Sequence, residues 1–366
     1  MRTIADLKIM QALPLQVKVA MTKQRIRDWV AEYGVDGVYV SFSGGKDSTV
    51  LLHIVRSMYP SVEAVFVNTG LEYPEIQRFV KQFENVTILH PKIRFDEVIR
   101  KYGYPVISKD VAECVYQAKK ALEGNKDPYE VLEYLESPSY FPYAYRLQKL
   151  LGIAKDKNGN KSLFNKEKWK PLLALDFDIS SYCCNVMKKK PAHEYCRKTG
   201  KKPITAQMAA ESKLREQQWI KNGCNGFDMK SPISNPMSFW TEQDVFEYIK
   251  QNDLPIAPVY GEVVYENNEQ IGIEDFGETG TGRRLCTTGC KRTGCIFCAF
   301  GAHLEKGEDR RFVRLKKTHP LQYEYCINGG GYDPDGIWKP TKDGLGMGHI
   351  FDELNEIYGE GFIEYK

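Results

Sequence analysis

Across roughly the first 110 residues, short apolar runs rich in β-branched side chains alternate with longer stretches of helical character. Residues 35–42 (VDGVYVSF) predict a strand that ends at Ser-Gly-Gly and passes into a helix over 47–56. Residues 64–67 predict a second strand, followed by the turn Asn68-Thr69-Gly70 and a helix over 74–83. Residues 86–89 (VTIL) predict a third strand. Strands separated by helical stretches of about ten or more residues predict a parallel sheet covered on both faces.

From 111 to 151 the pattern is helical and rich in Lys, Glu and Tyr, and the polar run 155–161 (KDKNGNK) reads as an exposed connection. A further α/β stretch covers 169–249. Within it Thr241 is the expected helix N-cap, with Asp244 in the capping-box position. Beyond Pro258 the pattern changes. Gly-rich segments at 277–282, 329–331 and 344–348 surround a group of cysteines, so residues from about 265 onward form a loop-rich, cofactor-organised region. The expected division is 1–264 and 265–366.

Composition narrows the class. The chain has 366 residues, Lys+Arg 51 against Asp+Glu 48, and a net charge of +3. With 42% hydrophobic and 27% charged residues it is expected to fold rather than remain disordered. The charge balance excludes a dominant nucleic-acid footprint but leaves room for local basic patches, such as Lys188-Lys189-Lys190 with Arg197 and Lys198. No apolar run reaches the roughly 20 residues needed to span a bilayer. The N-terminus lacks the basic–apolar–small order of a signal peptide. A cytoplasmic protein with no membrane partner is the expectation. Ten cysteines are unusual for that compartment, where clustered thiols more often bind metal or do redox work than form disulfides.

Two groups of residues carry candidate chemistry. Ser41, Ser43, Gly44, Gly45, Lys46, Asp47 and Ser48 lie between a predicted strand and a predicted helix. The glycines let the backbone curl round an anion, and the first amides of the helix point at it with the positive dipole end. Lys46 neutralises phosphate oxygens. The Walker pattern G-x-x-x-x-G-K-[ST] is absent, so this is a phosphate loop of another kind.

S-G-G-K-D-S resembles the pyrophosphate loop of the ATP pyrophosphatase superfamily, with its adenine nucleotide α-hydrolase fold. Further segments narrow the resemblance to the phosphoadenylylsulfate (PAPS) reductase-like family. Val67-Asn68-Thr69-Gly70 with Glu72, Pro74 and Glu75 is similar to V-D-T-G-x-x-x-P-E, and Glu211-Ser212-x-x-Arg215 to E-S-x-x-R. The segment 236–249 is similar to P-I-x-x-W-x-x-x-D-V-x-x-Y-I. The resemblance implies a doubly wound α/β domain. It would bind ATP or an adenylylated sulfonucleotide, with Mg²⁺ on the pyrophosphate. Lys46 and Asp47 are the implied catalytic residues, and Asn68, Glu211, Ser212 and Arg215 contribute to the nucleotide site.

The second group is thiolate. Cys183-Cys184-x-x-x-Lys188 resembles the tandem-cysteine motif of the iron–sulfur adenylylsulfate reductases, and Cys295-x-x-Cys298 their second pair. In that family the four hold one [4Fe–4S] cluster. A compact set of Cys286, Cys290, Cys295 and Cys298 is the alternative, resembling the DNA-phosphorothioation ATP pyrophosphatases. The same spacing also suits zinc.

The sequence departs from the reductases at several points. Residues 359–366 contain no cysteine where those enzymes carry E-C-G-L-H, and Asn68 stands where the family has Asp. The Gly and Arg of G-x-R-x-x-E-S are also missing, since the run reads Ala206-Gln207-Met208-Ala209-Ala210-Glu211-Ser212. The leading expectation is an ATP pyrophosphatase using an iron–sulfur cluster in sulfur incorporation into an adenylated acceptor, nucleic acid included, with a cysteine desulfurase as donor. The alternatives are a sulfonucleotide reductase served by a thioredoxin-like thiol or by Cys326, and a non-catalytic nucleotide- and cluster-binding sensor. The oligomeric state stays open.

Overall fold

The β-branched run after Asp36 forms the central strand β1, Val38–Ser41, with Val38, Tyr39 and Val40 all buried. In this computed structural model, residues 2–122, 141–266, 284–307 and 310–366 are described. The Gly-rich segment 277–282 lies outside them. By backbone proximity the chain divides into two compact units, each made of two segments. Unit 1 is Met1–Pro91 with Lys190–Cys295, and unit 2 is Lys92–Lys189 with Ile296–Lys366.

Unit 1 holds the main sheet. Its other strands are β2 (Glu63–Val67), β3 (Val86–Leu89), β4 (Lys202–Ile204), β5 (Asn225–Gly226) and β6 (Ile233–Ser234). The spatial order is β3-β2-β1-β4-β6-β5, parallel throughout except for the antiparallel edge pair β5–β6. The helices of unit 1 are α1 (Ile4–Gln11), α2 (Leu15–Tyr33), α3 (Lys46–Met58), α4 (Pro74–Val80), α5 (Lys190–Thr199), α6 (Lys213–Asn222) and α7 (Glu242–Gln251). α3 follows β1 directly. It buries Val50, Leu51, Leu52, Ile54 and Val55, and packs on β1, α2 and α7. An antiparallel pair, β7 (Val263–Tyr265) and β8 (Leu285–Thr287), completes the unit. The observed architecture is the mixed α/β, mostly parallel sheet that the alternation predicts.

Unit 2 is mainly helical. Helices Lys109–Ala121 and Phe141–Leu151 pack together, and the short strand Val106–Ile107 pairs in parallel with Ala299–Phe300. The C-terminal segment carries helices Arg311–Thr318 and Pro320–Ile327 before its Gly-rich loops and Met347–Tyr358 after them. Among the described residues no helix is long and apolar enough to cross a membrane.

Candidate nucleotide-binding site

Ser41 closes β1, and the chain turns through Phe42–Gly45 before Lys46 starts α3. Phe42 is buried, and its N–H donates to the Val65 carbonyl at 2.9 Å, which anchors the turn to β2. Gly44 has φ +71, and a Cβ there would stand 2.7 Å from Val80 Cγ2 and 2.9 Å from Ile76 Cγ2, so only glycine fits against α4. The serines then tie the loop to itself. Ser48 Oγ donates to the Gly45 carbonyl (2.9 Å) and accepts from the Ser43 N–H (3.2 Å), while the Gly45 N–H donates to Ser43 Oγ (3.3 Å). The N-cap residue of α3, Gly45, has no side chain to cap it. The N–H of Lys46 is met at 3.3 Å by the Tyr260 hydroxyl, which also bonds Thr293 Oγ1 at 2.5 Å.

The Lys46 side chain is almost fully buried. Its ammonium lies 2.9 Å from Glu242, 3.8 Å from Asp47 and 3.3 Å from the Lys291 carbonyl, and it faces the ring of Phe246 at 5.4 Å. Burial alone would lower its pKa, but Asp47 and Glu242 outweigh that and leave the ammonium held more firmly than in water. Burial raises the Asp47 carboxyl above the usual range. Lys46 opposes the rise, Glu242 adds to it, and Arg292 and Arg215 oppose it again. Asp47 Oδ1 has no hydrogen-bond partner. A cavity of about 290 Å³ opens here, walled by the loop, by Met208–Glu211, by Glu242 and Tyr260, and by Arg292 and Thr293.

Most of the residues singled out in the sequence meet at this place. Ser43, Gly45, Lys46, Asp47 and Glu211 line the cavity, and Gly44 and Ser48 shape its loop. The E-S-x-x-R segment is a local unit. Ser212 caps α6 by accepting the Arg215 N–H (3.3 Å), and Glu211 pairs with the Arg215 guanidinium across one helical turn. Ser41 and Asn68 do not line the cavity. Ser41 is exposed at the end of β1, and Asn68 Oδ1 accepts the Gly70 N–H at 3.1 Å in a local turn. Glu242 and Phe246 fall at unspecified positions of the 236–249 segment, and Tyr260 and Thr293 carried no motif in the sequence.

Cys183, Cys184 and Cys298 lie in unit 2, Cys295 closes unit 1, and Cys286 and Cys290 sit on β8 and the turn after it. The Cys184 thiol is lowered to about 6, first by a hydrogen bond from Cys183, against the opposing effect of burial, with help from Lys109 and Lys188. Burial raises Cys298. Arg311 and Lys109 oppose that rise and nearby Cys184 adds to it, so the three sulfurs share one neighbourhood with Lys109. Among the described residues no group of three or more His, Cys, Asp or Glu side chains is closed into a metal-binding arrangement. Cys326 is fully buried, its Sγ donates to Met347 Sδ at 3.5 Å, and burial drives its thiol far above the usual range.

A parallel α/β sheet with a glycine-bearing loop and a buried lysine at a strand-to-helix junction defines a nucleotide-binding protein. The model of the phosphoadenosine phosphosulfate reductase domain matches residues 37–128 and 129–300, more than half of the chain, and the chain belongs to that family. Membership supports a nucleotide-binding, sulfur-related function for this domain. Two uncharacterised proteins of Methanocaldococcus jannaschii are similar over shorter stretches. MJ0973 is 37% identical over 82 residues (21% of this chain, 19% of that protein), and MJ0066 is 31% identical over 113 (28% and 23%). The matches thus span about a fifth of the length of these curated relatives. Among solved structures, the phosphate complex of PAPS reductase from Candida auris aligns with a TM-score of 0.35 at 13% identity, over 70% of this chain and 91% of that one.

Proposed function

We propose that this chain is an ATP pyrophosphatase that adenylates an acceptor and uses an iron–sulfur cluster in sulfur incorporation, with nucleic acid among the acceptor classes. The observation that carries the reading is the grouping at the head of α3. Lys46 is buried there at a helix start whose N-cap is glycine, with Arg292 in the same cavity wall and Arg215 close by. At about 290 Å³ the cavity falls just below the range that encloses a whole drug-sized ligand, which suits the phosphate end of a nucleotide.

In this reading the loop amides and Lys46 neutralise charge developing on the phosphates; Asp47, which lines the cavity with an unpartnered Oδ1, would hold Mg²⁺, and the ion would supply further charge neutralisation. Arg215, oriented by Glu211, contacts the adenylated substrate, and Ser212 holds the start of α6 so that Arg215 faces it. Cys183, Cys184, Cys295 and Cys298 are the proposed cluster ligands. Donor chemistry supports Cys184, which leans toward thiolate, the state a ligand requires, whereas Cys298, raised by burial, would lose its proton on binding the cluster. When bound, the cluster would supply the sulfur and electron chemistry, replenished by a cysteine desulfurase.

The alternative, reduction of an adenylylated sulfate, needs a nucleophilic thiol. Cys326 does not suit that role, because its sulfur is enclosed and its thiol strongly disfavours ionisation. A reductase would therefore depend on an external thioredoxin-like thiol. Pyrophosphate release from ATP separates the readings. Lys46→Ala is expected to lower it by at least about 100-fold, and an unchanged rate would sink the proposal. Sulfite release from adenylylsulfate without ATP turnover would favour the reductase. Tight ATP binding with no turnover would favour a sensor.

A further inference from the structure

The phosphate loop is already supplied with its own anion. In and beside the cavity, Lys46, Arg215 and Arg292 contribute three positive charges and Asp47, Glu211 and Glu242 three negative ones. One of the three carboxylates is fixed in place: Glu211 accepts the Met208 N–H at 2.9 Å and pairs with Arg215. Asp47, in the first turn of α3, lies 3.8 Å from the Lys46 ammonium and its Oδ1 has no hydrogen-bond partner. Glu242 is different. Its side chain is 46% exposed, and among the described residues its only ion pair is the 2.9 Å contact with Lys46. A first-turn acid usually serves its own helix dipole, yet this one reaches across to the loop lysine.

We propose that Glu242 is a built-in counter-anion for Lys46, occupying the position of a ligand phosphate until a polyphosphate displaces it, and so setting the affinity and selectivity of the loop. This rests on the reading of the loop as a phosphate site. The electrostatics give the selectivity its direction. A dianion entering beside a retained Glu242 would turn a balanced cavity strongly negative, and like charges in a cleft repel. With Glu242 turned outward the same groups carry a net positive charge. Entry of the anion and departure of the carboxylate are therefore coupled, and the ligand must bring enough charge to compete. Pyrophosphate and the triphosphate of ATP meet that requirement better than a monoanion.

The test is binding of inorganic pyrophosphate and of ATP by titration calorimetry, each with and without Mg²⁺, to the full chain and to Glu242→Gln and Glu242→Ala. Glu242 is half-exposed, so both variants keep the fold. Without Mg²⁺, each is expected to bind pyrophosphate at least about tenfold more tightly than the parent. The gain should vanish when Lys46→Ala is added, because the competitor and the ligand share that ammonium. Parent-like affinity in both variants, with ATP still bound, overturns the counter-anion and leaves the nucleotide reading standing. Weakened binding confined to the Mg²⁺ series also overturns it, by making Glu242 a cation ligand. If neither parent nor variants bind pyrophosphate or ATP, the nucleotide reading fails and the counter-anion with it.

Discussion

Burial lifts the Asp47 carboxyl, Lys46 pulls it back, Glu242 lifts it again, and Arg292 and Arg215 pull against it; the balance stays on the raised side. A carboxyl whose folded pKa lies above its unfolded value binds its proton more tightly in the fold. The ionised form therefore costs stability above the folded pKa, and that cost disappears below the unfolded value of about 3.9. Asp47→Asn is accordingly expected to melt at a higher temperature than the parent at pH 7, with the difference shrinking as the pH falls toward 4. Lys46 keeps Glu242 as partner, so the substitution leaves no buried charge unpaired. Lower melting of Asp47→Asn at pH 7 would show that the Lys46 contact outweighs the cost. Stability gained together with activity lost is the usual mark of a residue kept for function. Asp47 was legible in the sequence because it is part of a contiguous motif. Glu242, which lifts it, and Arg215 and Arg292, which pull against it, were not legible as a set, since each acquires its role only when distant segments meet around α3.

Helix α7 shows how elements hold that meeting in place. Thr241 and Asp244 form the capping box anticipated from Trp240-Thr241-Glu242-Gln243-Asp244, with the Thr241 N–H at 2.6 Å and its hydroxyl at 2.9 Å from Asp244 Oδ2. The same carboxylate receives the buried Lys18 ammonium of α2 at 2.7 and 2.8 Å. One residue thus starts α7 and fastens it to α2, which fixes where Glu242 and Phe246 emerge beside Lys46. Removing one partner of a buried ion pair leaves the other uncompensated. Lys18→Met is expected to cost about 3–5 kcal/mol in urea unfolding. A loss below about 1 kcal/mol would mean that water reaches Asp244. The cap was legible because it is local, whereas Lys18 lies 226 positions away on a helix whose sequence gives no sign of the pairing. The same divide separates the strands. β1, β2 and β3 stand out as apolar runs, and β3 spans the expected residues. The two-residue strands β5 and β6 are too short to show any period and exist only through pairing at the sheet edge.

Each compact unit is built from two segments, so the chain passes between units after Pro91, Lys189 and Cys295. No window of sequence displays such an arrangement, and it matters most for the cysteines. The resemblance picks out Cys183, Cys184, Cys295 and Cys298 as a set. It does not show that Lys109 and Arg311 of unit 2 act on Cys184 and Cys298, nor that Cys286 belongs to strand β8, paired with Val264. The tandem and compact ligand sets therefore make different demands on the molecule, and metal content separates them. Purified without oxygen, the full chain is expected to carry about four iron and four sulfide. Cys184→Ser and Cys298→Ser should each lose most of both, and Cys286→Ser and Cys290→Ser should retain them. Loss in Cys286→Ser and Cys290→Ser with retention in Cys184→Ser would assign the compact set. One zinc without sulfide would remove the cluster from the mechanism and leave the thiolate neighbourhood of Lys109 as a structural metal site.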